Sequence, residues 1–228
     1  MQMKKKCPVI LFICLTSLSY VSFSQDPKEL KQFSDLAYVA SRSQTALTST
    51  LMGFEAYRKG DLNKAIQLHR MAISLDSMYA RPMDQLGIIY AQKRQLDSAA
   101  YFLRKSLSVY PNGTLALSTL GPLLGYQNKL PEGVELLKKA IELDPGFVMS
   151  YFSLAGTLYN ARDPQAALPY AVKAAELSAN KERGLHAATL YLAGLCYFQL
   201  KDMGKAREYI FEAEKNGTKV PDDIKSKL

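Results

Sequence analysis

Apolar and small residues in this chain keep two periods at once. The shorter is helical. Met83, Leu86, Gly87 and Tyr90 stand at i, i+3, i+4 and i+7, which puts them on one face of a helix. The polar run "KRQLD" breaks that face, and Leu96, Ala99, Leu103, Ser106 and Leu107 open another. Pro82 sits where a first helical turn accepts proline, and Pro111 with Asn112 closes the second helix. The pattern predicts a pair of antiparallel helices joined by a short turn.

The longer period is 34 residues: "QLGIIYAQKRQLDSAAYFLRKSLSVYP" from Gln85 aligns without a gap on "TLGPLLGYQNKLPEGVELLKKAIELDP" from Thr119. Small residues mark the register in columns. Gly53, Gly87, Gly121 and Ala155 form one; Ala65, Ala99, Gly133 and Ala167 a second; Ala72, Ser106, Ala140 and Ala174 a third. Met52, Leu86, Leu120 and Leu154 add a column of large residues. Gly194, Ala206 and Ala213 repeat the internal spacing in a fifth copy, displaced by five extra residues within "SANKERGLH". Antiparallel helices approach closely only where neither carries a large side chain, so the small columns mark helix contacts. One pair cannot bury its own apolar face, and repetition lets neighbours bury each other's.

The expected organisation is therefore repeats over 46–79, 80–113, 114–147, 148–181 and 187–217, followed by a tail, 218–228. Ahead of them, Asp26 as N-cap, Pro27 and Glu29 open an amphipathic stripe of Leu30, Phe33, Leu36, Ala37 and Ala40. Residues 25–45 are expected to form a capping helix that shields the first repeat.

The columns, with "GFEAYRKGDLNKAIQLHRMAISLD" (Gly53 to Asp76) as the fullest copy, resemble the tetratricopeptide repeat family. The resemblance runs from Ala46 to about Gly217. It implies an all-α, right-handed superhelical solenoid of tandem helix-turn-helix repeats whose first helices line a concave surface. Departures are Ala155 for Gly, Gly133 for Ala, Ser77 for Pro and the insertion before the last copy.

Composition refines this picture. The chain has 228 residues, 48% hydrophobic, with a formal charge of +8. It begins with a cationic "MQMKKK", an apolar block from Cys7 to Leu15 and small residues at Ser22 and Ser24. That order predicts a cleaved signal over 1–24 and an exported protein, periplasmic or at the cell surface. Thr16, Ser17 and Ser19 dilute the apolar block well before the ~20 residues a spanning helix needs, so no stable transmembrane span is expected after cleavage. Cleavage removes Cys7 and Cys14 and leaves Cys196 alone, without an internal disulfide or a zinc cluster. Lys and Arg are scattered among Asp and Glu rather than clustered, which argues against nucleic acid as partner. His69 takes the place of Leu103 and Leu137 and is expected to pack; His186 lies by the insertion and is expected in solvent. No nucleophile, phosphate-loop or paired-histidine motif is present, so no enzyme, cofactor or metal is expected.

What is left is the surface of the first helices. Taking places two, five, nine, twelve and thirteen of each as the groove stripe, the candidates are Phe54, Tyr57 and Arg58 in copy one, Ile88 in copy two and Tyr126 in copy three. Copy four adds Met149, Phe152 and Tyr159, and copy five adds Tyr191 and Phe198. In the family, a clamp for a peptide's terminal carboxylate uses Lys, Asn and Arg on this stripe, and those residues do not carry over here. Aromatic side chains of this kind are typical of protein-binding surfaces. The expectation is a scaffold or adaptor that binds a protein or peptide. The alternatives are a structural module that self-associates into a homo-oligomer through its repeat ends, and a saccharide-binding or enzymatic protein.

Overall fold

The structure, a computed structural model, describes residues 41–181 and 183–228, all within one unit of the chain, Ala37–Leu228. The expected signal segment and the expected capping helix up to residue 40 lie outside the described residues. Ten helices form five pairs: α1 (Gln44–Arg58) with α2 (Leu62–Leu75), α3 (Ala80–Gln92) with α4 (Leu96–Val109), α5 (Thr114–Tyr126) with α6 (Leu130–Leu143), α7 (Val148–Asn160) with α8 (Pro164–Ser178), and α9 (Arg183–Gln199) with α10 (Met203–Lys215). A single turn, α11 (Asp222–Lys225), follows. Each first helix packs on its partner, and each second helix packs on the first helix of the next pair. This is an all-α solenoid of tandem paired helices, with no strand among the described residues.

The glycine column explains the tight pairs. A Cβ on Gly87 would sit 2.5 Å from Cγ of Leu103, one on Gly121 2.4 Å from Cγ of Leu137, and one on Gly194 2.5 Å from Cγ1 of Ile210. Each glycine is thus a socket for a large residue of the second helix. Copy four trades volume across the same contact: Ala155 replaces the glycine and Ala171 the large residue, and both are fully buried. Copy three goes closer still, since a Cβ on Gly133 would lie 2.4 Å from the Gly121 carbonyl oxygen. In copy one the socket is Gly53 and the residue over it is His69, fully buried, with its Cε1 2.6 Å from where a Gly53 Cβ would be.

Turn chemistry repeats as well. After each first helix the chain enters the left-handed region at Gly60 (φ 80°), Arg94 (58°), Asn128 (61°), Arg162 (64°) and Lys201 (66°). Asp61, Asp163 and Asp202 then cap α2, α8 and α10 by accepting the backbone N–H of Lys64, Ala166 and Lys205. Proline is accommodated inside α5 at Pro122 and inside α8 at Pro169, and both helices run through it. The five extra residues ahead of the last copy lengthen a helix: α9 has 17 residues where α3, α5 and α7 have 13.

The last pair changes two columns. Ile66, Ala100, Val134 and Leu168 are followed there by Arg207, and Ile73, Leu107, Ile141 and Ala175 by Glu214. The tail folds back over these charges. Thr218 N–H donates to the Ala213 carbonyl, Val220 is buried, Lys225 pairs with Glu214, and Arg207 Nε donates to the Leu228 carbonyl.

Candidate peptide-binding groove

The ends of the first helices form an ordered row. Arg58, Gln92, Tyr126, Asn160 and Gln199 occupy the same place in five copies, and all are exposed. Neighbouring copies touch through them: Asn160 Nδ2 donates to the Tyr126 hydroxyl at 3.4 Å, and Gln199 Nε2 donates to the Tyr159 hydroxyl at 3.0 Å. Tyr126 stands 64% exposed. These amide-to-phenol bonds tie each ring to the next copy, with the Tyr126 ring open to solvent and the Tyr159 ring half-buried.

The other aromatic candidates are half-buried. Phe54 packs edge-on to His69 with centroids 5.5 Å apart, and the Arg81 guanidinium lies 5.2 Å above its ring. Tyr57 packs against the cluster of Ala56, Ala65 and Ile89. Phe152 and Tyr159 rest on the cluster formed by Ala155, Ala167 and Leu192. Tyr191 rests on Ala175, Leu190 and Ala213; burial, with the Tyr159 hydroxyl and the Asp223 carboxylate nearby, pushes its phenol pKa up. Ile88, Met149 and Phe198 are half-buried, and Arg58 is in solvent.

One part of the expected stripe is not surface. At place five, Thr50, Asp84 and Ser118 are at most 2% exposed. Small polar side chains there let neighbouring first helices close up: the Ser118 and Ser150 hydroxyls meet at 2.8 Å in the interior. Only the bulkier Phe152 and Tyr191 at that place reach outward. The turn edge beside the row was not in the expected stripe. Lys59, Lys93 and Arg94 are exposed along it in copies one and two. Their common edge is visible only when the turns are aligned at the 34-residue step.

The two histidines and the cysteine have structural settings. Burial pushes His69 down to about pKa 4 and the fully buried Cys196 thiol up to about 11. His186 is half-buried rather than in solvent. Its Nδ1 lies 3.0 Å from the Ser178 hydroxyl, because the lengthened α9 carries it back onto α8. Among the described residues no group of His, Cys, Asp and Glu is arranged to hold a metal ion, and no helix is long and apolar enough to cross a membrane.

Residues 118–182 and 157–223 match the family model described as Tetratricopeptide repeat. The chain is a tetratricopeptide-repeat protein. Protein CTR9 homolog of Arabidopsis thaliana is 26% identical to this tetratricopeptide-repeat protein over 165 residues. That match covers 71% of this chain and 15% of the relative's length. The structure of pilF from Pseudomonas aeruginosa superposes with a TM-score of 0.66 at 18% identity, over 78% of each chain. YrrB, described as a TPR protein with an unusual peptide-binding site, gives a TM-score of 0.52 at 22% identity, over 75% of this chain and 86% of its own. The fold is that of a tetratricopeptide-repeat scaffold for protein or peptide interaction.

Proposed function

We propose that this protein is an exported adaptor of the cell envelope that holds a segment of a partner protein against the open face of its first helices. The carrying observation is the exposed Tyr126 and the half-buried Tyr159, each bonded to the next copy through Asn160 and Gln199. Rings already held in place lose little freedom when a partner docks, so more of the contact energy appears as affinity. Aromatic residues in such positions commonly dominate binding. The peptide-binding site named for YrrB supports the same use of the fold. The cationic, apolar and small-residue order of residues 1–24 supports export. The alternative of stacking through repeat ends is less favoured at the last pair, where Arg207 and Glu214 are already engaged by the tail.

The test is capture of partners from the native envelope by wild type and by Tyr126→Ala. Because Tyr126 is 64% exposed, truncation leaves the core intact. Its loss is expected to weaken capture by about 2 kcal/mol, the scale of a binding hot spot. Helical circular dichroism and melting temperature should stay at wild-type values. The companion variant Phe152→Ala with Tyr159→Ala should abolish capture, with some loss of stability because both rings are half-buried. Undiminished capture by both variants would move binding off this face.

A further inference from the structure

We propose that the groove is chemically polarised: it takes an extended peptide whose aromatic side chain enters a notch over Gly156 and whose acidic side chains, about six residues away, meet Arg58, Arg81 and Arg94. The inference rests on the peptide-binding reading above and names the segment that reading would accept.

Gly156 is the first observation. The glycines at 53, 87, 121 and 194 are sockets for buried side chains, and a Cβ on Gly125 would meet Thr157 Cγ2 at 3.3 Å. A Cβ on Gly156 would meet nothing within 4 Å. Glycine inside a helix costs ~0.5–1 kcal/mol relative to alanine, and here no internal contact compensates. Phe152 and Tyr159 stand four residues before it and three after it, on the same face of α7. Seven residues of helix rise about 10.5 Å. Aromatic centroids in contact are about 4.5–7 Å apart, so one further ring fits between the two and touches both. The expected groove places of copies three and four, among them Pro122, Tyr126, Met149 and Asn160, hold no charged residue.

Charge is the second observation, and it sits at the other end. In copies one and two the exposed charges at groove places and on the adjoining turn edge are Arg58, Lys59, Lys93 and Arg94 with the capping Asp61, and Arg81 lies half-buried over the Phe54 ring. No ion pair among the described residues involves them. The groove-place acid, Asp84, is buried. Of the acids near this edge, Asp61 accepts the Lys64 N–H and Asp97 accepts from Gln127 Nε2, and Glu55 stands one turn before Arg58 and Lys59, so the cations stay in excess. In copies four and five the turn cations Arg162 and Lys201 are each followed by a capping aspartate, whereas Arg94 is followed by Gln95. Arg94 holds a left-handed φ of 58°, the conformation that the turns of copies three to five share at Asn128, Arg162 and Lys201, which turns its side chain out at the edge. An acidic end of the partner complements this excess of positive charge.

The two ends are two first-helix steps apart, α3 to α7. Packed helices lie about 8–10 Å apart, so the span is roughly 20 Å, or about six residues of extended chain at ~3.3 Å each.

The test uses a fluorescein-labelled synthetic peptide with two glutamates, a tryptophan about six residues on, and Gly and Ser elsewhere, read by fluorescence anisotropy on the folded protein. It is expected to bind about tenfold or more tighter than peptides with Trp→Ala, with Glu→Lys, or with the tryptophan moved next to the glutamates. Gly156→Leu should erase the tryptophan's advantage while the melting temperature holds or rises. Arg58→Glu with Arg94→Glu should erase the glutamates' advantage and its salt dependence. No binding, equal binding by the control peptides, or an intact tryptophan advantage in Gly156→Leu would overturn the proposal. Partner capture that is lost in Tyr126→Ala but unchanged in Gly156→Leu and in the Arg58, Arg94 variant would overturn it too, and would leave the peptide-binding reading standing.

Discussion

Replacing His69 by leucine is expected to stabilise the protein, and more so in acid. The same contact is Gly87 with Leu103 and Gly121 with Leu137, so leucine restores a pairing that the fold already uses twice. His69 is fully buried, and neither ring nitrogen has a hydrogen-bond partner. A buried polar group left unsatisfied costs ~1–3 kcal/mol, which sets the expected gain of His69→Leu at pH 7.5. The pH term adds to it. Burial lowers the histidine from 6.5 in the unfolded chain to about 4 in the folded one. Between those values the unfolded chain binds the extra proton, so wild type has its full stability above pH 6.5 and loses it as pH falls toward 4. At pH 4.5 the loss from this one group is about 2.5 kcal/mol, at 1.36 kcal/mol per pKa unit.

Urea unfolding followed by far-ultraviolet circular dichroism, at pH 7.5 and 4.5, measures both terms. Carboxylates titrate in both proteins and cancel in the difference between them. The gap between His69→Leu and wild type should widen by about 2.5 kcal/mol on acidification. A gap that stays constant with pH would refute the desolvation argument. A leucine variant less stable than wild type at pH 7.5 would refute the claim that copy one shares the packing of copies two and three.

Two further outcomes are expected. Gly121→Ala places a Cβ 2.4 Å from Leu137 Cγ and 2.9 Å from the Gly133 carbonyl oxygen, and should cost ~1–3 kcal/mol in the same unfolding assay. Native protein should begin at Gln25, since the small residues Ser22 and Ser24 precede it; N-terminal sequencing that finds Met1 intact would count against export.

The repeat architecture was legible because its tightest contacts admit few residue types. Gly87 over Leu103 tolerates no Cβ, and that intolerance is visible as a column of small residues. Exposure was less legible. Met52 belongs to the column of Leu86, Leu120 and Leu154, yet it is 48% exposed where those are at most 2%. A column fixes the direction of a side chain, not whether something lies beyond it. The place-five residues failed in the opposite sense: Thr50, Asp84 and Ser118 point along the expected stripe but are small enough for neighbouring helices to close over them. His186 could not be placed because its contact with Ser178 depends on how the inserted residues are used, and they extend α9 rather than a loop. The cations at Lys59, Lys93 and Arg94 look dispersed in linear order and gather on one edge only through the period.

A repeat protein supplies its own comparison set, because each place is occupied several times in nearly the same surroundings. A residue that departs from its column is informative once its neighbours are checked for compensation. Arg207 and Glu214 depart from apolar columns and are compensated by the tail, through the Leu228 carbonyl and Lys225. Ala155 departs from the glycine column and is compensated by the smaller Ala171 beneath it. Two departures find no such compensation inside the molecule: His69 without hydrogen bonds and Gly156 without a neighbour. The first is sealed in the core, so it can act only on stability. The second faces open space on the groove side, and it costs the folded state something that nothing internal returns. A glycine left uncovered there is what a binding surface for an outside chain would require.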